Sequence, residues 1–569
     1  MRHASDPRQK PLFDTAESMF SPAAIRYMRG DWPGLFREEI LHLMPVVKIA
    51  ENFHPTLGCP TKELYSMAGV IFLKEFFNLT IEETVRRYLT DGAWHFALNL
   101  VPTEVSISHA TIERYTALFA KKDIAAEIFH RVTSAFVEVL ELDVSRQRLD
   151  STHVFSDMAT FGRSKLMGVT IKRFLTQLKR HHAELYEALP AELQNRYARS
   201  QAKMFGDFTG GRQELRQTVA EDLLFLVNRF AEDEAVTNRT SYQAMRRVLE
   251  EQCTVSEDKT NVEVKPKTGG KVMQNPSDPD ATYDGHKGPG YQAQIAETCS
   301  ESNEVQLITG VDVEPADHSD QQAVEPMLDE LDKQDRKPDV MYTDSGYGRD
   351  DNVVVAEDRG VDLQSPVAGL SPQNKDDLTV DDFVIEDGTE RVERCPNGCV
   401  PKSSTHDAEK GQTRTVMERS DCTACEFCSQ CLVKKVGGEF VLWHTAPQRR
   451  LAARRAEQAT DAFRDNYRIR AGGESVNSGL KRKMGMGRVR TRGSPRVRMA
   501  VLLRCAGWNL LRALAALKKR GIRDFTASVE AFCHFSSDLE RWKAPARTLD
   551  GHLRRLLRRF LPVSFLAPV

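Results

Sequence analysis

After a long N-terminal stretch of helical period, Arg146-Gln-Arg-Leu149-Asp150-Ser-Thr-His153-Val-Phe155 switches to the two-residue alternation of a strand and sets Asp150 in its interior. Aspartate is depleted in strand interiors, so a strand built around one needs a use for the charge. A second acid stands in a comparable place. Asp339-Val-Met-Tyr-Thr-Asp344-Ser-Gly346-Tyr-Gly348 reads as a short apolar strand ending in an aspartate and a glycine-rich turn, with a helix over 351–359 and another strand from Val361. Acids at the carboxyl end of such strands stand where open α/β sheets place their ligands. Between the two, Gly290–Thr298 and Val305–Val313 read as an antiparallel pair, followed by a helix over 321–333. The expected fold class is therefore α/β, a mixed sheet with flanking helices.

The third informative stretch is Tyr467-Arg-Ile-Arg470-Ala-Gly-Gly-Glu474-Ser-Val-Asn-Ser-Gly-Leu-Lys481-Arg482-Lys483. On a continuous helix Tyr467, Arg470, Glu474 and Lys481 would share an arc of about 60°. From Lys481 to Arg498 the charges, including Arg488, Arg490 and Arg492, are all positive. A solvated helix face ordinarily mixes signs, so the run calls for a polyanion, and Glu474 then needs a reason to face it. Metal-assisted phosphoryl transfer supplies one, with an acid holding a divalent cation against phosphate while Tyr, Arg and Lys hold the strand. Gly472 and Gly473 are poor helix formers, so the helix is expected to begin or bend there, or the backbone to approach DNA closely.

The spacing Tyr-x2-Arg-x3-Glu-x6-Lys resembles the signature around the last acid of DDE-type insertion-sequence transposases. Leu149-Asp150-Ser-Thr-His-Val with Gly162-Arg163, and Tyr342-Thr-Asp344-Ser-Gly-Tyr, resemble the first two acidic motifs of the same family. The resemblance implies a ribonuclease-H-like catalytic core in which Asp150, Asp344 and Glu474 hold Mg2+ (or Mn2+). Tyr467, Arg470, Lys481, Arg482, Lys483, Arg488, Arg490 and Arg492 would then bind DNA. It further implies cleavage of double-stranded DNA at the element's ends, joining to target DNA, and at least a homodimer in the DNA complex. Ser108-His-Ala-Thr-Ile-Glu-Arg, closing a set of short helices, resembles the family's N-terminal end-binding region; a plain helical bundle is the other reading.

Six of the eleven cysteines lie between Cys395 and Cys431, which fits reduced thiols and a metal site better than a disulfide framework. Tetrahedral zinc takes four ligands from closely spaced pairs. Cys395, Cys422, Cys425 and Cys431 are the expected structural zinc ligands, with Cys399 and Cys428 as alternates, in a zinc-ribbon-like insertion flanked by strands at 382–385 and 439–443. An iron–sulfur cluster is the lesser alternative. Net charge is only -2, but 278–387 is acid-rich and 447–523 base-rich, so the whole-chain balance says little. No apolar leader follows Met1, and the apolar runs 67–77 and 499–517 are interrupted by Lys74, Arg504 and Arg512. The expectation is a cytoplasmic, nucleoid-associated protein without a membrane partner.

The expected organisation is a flexible arm (1–20), a helical DNA-end-binding domain (21–140), the first core strands (141–163), a helical insertion and linker (164–277), the second part of the core (278–370), the cysteine-rich insertion (371–446), C-terminal core helices with a basic loop (447–523) and a basic helical tail (524–569). Two rivals to a transposase share parts of this pattern. A zinc-containing DNA-binding regulator needs no acids at 150 and 344, and a nuclease without strand transfer keeps all three. A tyrosine recombinase would use Tyr467 as nucleophile but lacks a matching Arg/His set.

Overall fold

A computed structural model of the chain describes residues 2–9, 18–206, 208–367, 377–386, 391–407 and 409–526. The basic tail with Arg554, Arg555, Arg558 and Arg559 lies outside the described residues. The chain divides into two compact units, one of residues 1–141 and 502–569, the other of residues 142–501.

The first unit is helical. Its helix Leu64–Phe76 is buried nearly all round, with Met67, Val70, Ile71 and Phe72 at 0% exposure, and Glu63 caps it by accepting from the Tyr65 and Ser66 amides. A helix apolar on every side must be a core helix. Helix Ile81–Thr90 opens with a capping box of Thr80 and Glu83. The buried carboxylate of Glu75 accepts from Lys74 (2.5 Å) and Arg504 (3.1 Å), which explains a guanidinium inside the otherwise apolar run near 500. The expected loose arm is held at its start: the Arg2, His3 and Ser5 amides donate to Pro55 O (3.2 Å), Thr61 Oγ1 (2.9 Å) and Glu63 Oε1 (3.2 Å).

The second unit is mixed α/β. Its sheet is built on β1 (Arg146–Val154), which pairs antiparallel with β2 (Gly288–Thr298). β3 (Ile308–Pro315) continues antiparallel beyond β2. On the other edge β4 (Val340–Tyr342) and β5 (Asp362–Gln364) run parallel to β1. Alternation along β1 sorts its side chains. Leu149 enters an apolar core with Ala296, Met341 and Leu363, roofed by helices Val324–Lys333 and Asp350–Asp358. Arg148 and Asp150, two apart, share the opposite face.

Between β1 and β2 the chain forms a helical module with a core of its own. α1 (Arg163–His181), α2 (Arg212–Arg229) and α3 (Thr240–Gln252) enclose Phe174, Leu178, Leu223, Tyr242 and Met245. Within the expected polar linker, Cys253–Val255 pairs with Val262–Val264. The helix Ala191–Ala198 stops where Lys172 of α1 donates to the carbonyls of Tyr197 (2.9 Å) and Ala198 (3.2 Å) and so satisfies its end. After β5, a four-stranded antiparallel sheet carries the cysteines in the spatial order Ser403–Asp407, Gln412–Met417, Glu439–Thr445, Lys434–Val436.

The C-terminal part of the unit returns to β1 through helix Asp461–Tyr467, a 3-10 turn Arg468–Ala471 and α4 (Gly472–Lys483). α5 (Ser494–Lys519) follows and straddles the division between the units. Its length and composition would suffice to cross a membrane, and 83% of its most apolar window is buried.

Candidate active site

Asp150 projects from the middle of β1, and Asp344 follows the end of β4, the strand beside it. One guanidinium nitrogen, Arg470 Nη2, stands between them, 3.5 Å from Asp150 Oδ1 and 3.6 Å from Asp344 Oδ2. Asn477 Nδ2 donates to Asp150 Oδ2 (3.1 Å), and the Ser151 amide to Oδ1 (3.0 Å). Burial holds the Asp150 carboxyl above its ordinary pKa; Arg470 pulls it down, and the charge of Asp344 pushes it further up. Asp344 Oδ1 accepts the Gly346 amide (2.8 Å), which fixes the turn after β4.

The C-terminal stretch is not one continuous helix, so the expected single arc of Tyr467, Arg470, Glu474 and Lys481 is not formed. The glycines mark the break, and Arg148 gives its cause. Its guanidinium pairs with Glu297, directly opposite on β2, and Arg148 Nη1 donates to Ile469 O (2.9 Å) inside the 3-10 turn. A Cβ on Gly472 would enter that guanidinium, and one on Gly473 would sit 3.6 Å from Asp150 Oδ2. The approach of α4 requires a residue without a side chain at Gly472, whereas at Gly473 the added methyl would make an ordinary contact.

The motif residues consequently part company. The Tyr467 hydroxyl donates to Thr343 O (2.7 Å), bracing the residue before Asp344, and Arg470 turns to the acids. Glu474 is exposed. Gly473 and Asn477, four residues apart, face β1, and Glu474 lies about 100° round the helix from Gly473. The structure thus brings Asp150 and Asp344 together and leaves the Glu474 carboxylate outside, although its backbone follows the glycine beside Asp150. Among the described residues no three His, Cys, Asp or Glu side chains are arranged to hold an ion.

Lys481, Arg482 and Lys483 are exposed at the end of α4. Partial desolvation and the neighbouring Lys287 lower the Lys481 ammonium pKa, while Asp150 raises it. Beyond them the loop with Arg488, Arg490 and Arg492 pairs with the end of β1: Phe155 N donates to Gly487 O (3.1 Å) and Val489 N to Phe155 O (2.8 Å). Arg488 donates to Met158 O (3.2 Å), and Arg492 pairs with Asp157 (3.1 Å).

Some of the site was not foreseen. Gln292 and Gln294, buried on β2, both donate to Asp320 Oδ1 (2.8 and 3.0 Å), and Tyr347 donates to Gln294 Oε1 (2.5 Å). Asp320 Oδ2 lies 3.8 Å, and Asp344 Oδ1 2.9 Å, from where a Gly346 Cβ would stand, so a further acid adjoins Asp344. In sequence Asp320 sits in a polar turn, and only its strand partners reveal it. Asn477 was legible in principle, one helical turn beyond Gly473.

In the cysteine-rich segment Cys395, Cys399, Cys422, Cys425 and Cys431 line one small cavity, while Cys428 is exposed and does not line it. Burial, then the neighbouring cysteines, push the Cys422 thiol up to about 12.

Residues 394–514 match a family model described as a transposase DDE domain. The matched stretch contains the cysteine-rich segment and Tyr467, Arg470, Glu474 and Lys481, and leaves Asp150 and Asp344 outside it. No curated protein and no solved structure matches the chain. The family match, on the stretch that packs against the Asp150 strand, supports a DDE-type transposase.

Proposed function

We propose that the chain cuts double-stranded DNA at the ends of a mobile element and joins those ends to target DNA, using Asp150, Asp344 and Glu474 in a ribonuclease-H-like core. The observation that carries this reading is the convergence of Asp150 and Asp344 on one cationic atom, Arg470 Nη2, at 3.5 and 3.6 Å. Two carboxylates already directed at a positive charge fit Mg2+ or Mn2+, hard ions that take one or two carboxylates and leave the remaining positions to water and phosphate. Further support comes from the sheet, where the acid-bearing β1 pairs antiparallel on one side and parallel on the other.

Asp150 and Asp344 would hold the ion, and Glu474 would join them by turning inward from α4. When bound, divalent cations lower the pKa of an attacking water or 3′-hydroxyl and stabilise the leaving oxygen of an in-line displacement. The protein's own groups do the positioning. Arg470, freed from the two acids, is within reach of a phosphate that takes their place as its counter-charge. Asn477 keeps Asp150 oriented, and Tyr467 keeps the 343–344 backbone in place. Lys481, Arg482, Lys483 and the loop from Arg488 to Arg492 track phosphates beside the cut. Transposition chemistry on paired ends calls for at least a dimer.

What supports a structural zinc ion here is that five cysteines line one small cavity and four suffice; the thiols would have to close in to bind it, since they are not arranged to hold an ion as they stand. Cys395, Cys422, Cys425 and Cys431 are the proposed set, with Cys399 as the alternate from within the cavity. The module would then be a zinc ribbon inserted between the second acid and the third.

The test is Mg2+-dependent cleavage of a duplex carrying the element's end, with DNA binding measured alongside. The parent should cut, while Asp150→Ala, Asp344→Ala and Glu474→Ala should bind and not cut. Binding without cutting by the parent, or undiminished cutting by the variants, would overturn the assignment. The first outcome favours a DNA-binding regulator, and cutting of the duplex without joining favours a nuclease.

A further inference from the structure

The helical module between β1 and β2 has no part in the chemistry above, yet it carries a large polar cleft. The cleft, of about 1030 Å3, lies between α1 and α3 and is lined by Lys172, Arg173, Arg239, Arg246 and Arg247 against one acid, Glu250.

Two of these cations hold the fold. Lys172 ends the helix at Ala198, and Arg247 pairs with Glu251 (2.6 Å) and donates to Pro279 O (2.7 Å). The other three are different. Arg173 donates to Ser277 Oγ (2.5 Å) and Arg239 is hydrogen-bonded to His182 Nε2 (3.0 Å), partners that carry no carboxylate to cancel each guanidinium's charge. Arg246 meets Glu250 at 3.5 Å with both side chains more than half exposed, an arrangement worth little in water and readily exchanged for a stronger anion.

The cleft is also tied to the basic loop beyond β1 through residues 277 and 278. Ser277 holds Arg173, and the next residue, Asp278, accepts the Gly493 amide through Oδ1 (3.0 Å). Gly493 ends the loop that pairs with β1 at Phe155, about 17 Å along the strand from Asp150. Arg492 stands near enough to Arg173 that, after burial, its charge lowers the Arg173 pKa. Arg492 keeps Asp157 as a partner at 3.1 Å with both side chains about half exposed, a surface pair that a polyanion can replace. No aromatic side chain lines the cleft, so it offers no platform for unstacked bases.

We propose that this cleft is a second DNA surface, which takes the phosphate backbone of duplex DNA leading away from Asp150 and Asp344, through Arg173, Arg239 and Arg246. The proposal rests on the DNA-processing reading and assigns the helical module a role within it.

The experiment measures binding of the full-length chain to a fluorescein-labelled duplex of arbitrary sequence across a salt series. Each phosphate that the protein ceases to neutralise should lower the slope of log affinity against log salt by about 0.9. Combined Arg173→Gln, Arg239→Gln and Arg246→Gln should lower it by about 2 to 3 and weaken binding at least tenfold at roughly physiological salt. Glu250→Gln, an exposed change that leaves the fold alone, should tighten binding instead. Parent-like slopes for both, while Arg488→Gln with Arg490→Gln lowers the slope, would overturn the cleft proposal and leave DNA binding by the loop intact. A parent chain that binds no duplex would overturn the DNA reading and this proposal with it.

Discussion

Two places in the second unit gather cation-binding side chains, and they solve the problem of the missing charge in opposite ways. At the acids, Arg470 stands between Asp150 and Asp344 at 3.5 and 3.6 Å, so the carboxyl groups have a counter-charge of the protein's own. At the cysteine cavity five cysteines line one small space, and Cys422 is pushed up to about 12 by burial and by its neighbours. The acids are ready for exchange, one cation for another, which suits ions and phosphates that come and go during a reaction. Under the proposed zinc reading the thiols would have to lose protons to accept a metal, which would then hold the segment together. The proposal thus sets a site for turnover against one for permanence.

The largest expected effect is on the acids. Asp150→Asn or Asp344→Asn should lower Mg2+-dependent strand cleavage by roughly a thousandfold or more with DNA affinity kept, read from single-turnover kinetics. Next comes the metal content of the cysteine segment. Cys422→Ser should take bound zinc from about one ion per chain to about none and lower the segment's unfolding temperature, whereas Cys428→Ser, outside the cavity, should keep its zinc. Equal loss in the two variants would erase the distinction drawn from the cavity lining. Because the Cys422 thiol is protonated at neutral pH, zinc uptake should release protons and tighten as pH rises, measurable by titration in buffers of different ionisation enthalpy.

Gly472→Ala tests the packing that brings α4 to β1. The added methyl meets the Arg148 guanidinium, whose partner Glu297 is buried, so stability should fall by about 2–4 kcal/mol in denaturant unfolding. The smallest effect is the most specific to the comparison. Arg470→Gln removes the resident counter-charge, so Mn2+ binding to the DNA-free protein, followed by electron paramagnetic resonance, should tighten by about tenfold while duplex affinity weakens. Unchanged Mn2+ affinity would mean that the guanidinium and the ion do not compete.

Much of this site was legible in the chain. Asp150 stood out because aspartate in a strand interior needs a reason, and Asp344 because it ends a strand before a glycine-rich turn. The spacing from Tyr467 to Lys481 marked the third segment, and the two glycines marked its break. What could not be read was direction. That Arg470 faces the acids, and that Glu474 faces solvent, follows from a 3-10 turn held by Arg148, a residue more than three hundred positions away in sequence. The Arg148–Glu297 pair and the tie from Gln292 and Gln294 to Asp320 exist only once β1, β2 and the turn after β3 are in register. The end of the helix at Ala198 is hidden in the sequence for the same kind of reason, since its capping group, Lys172, comes from another helix.

The central proposal is that a divalent ion binds between Asp150 and Asp344, with Glu474 turning inward to join them. The most direct measurement replaces Mg2+ with Fe2+ and maps where the polypeptide is cut by the oxidants generated locally with ascorbate and peroxide. The account predicts cuts near residues 150, 344 and 474, suppressed by excess Mg2+ and absent in Asp150→Asn. Cuts confined to the cysteine-rich segment, or a pattern unaltered by Mg2+ and by that substitution, would contradict it.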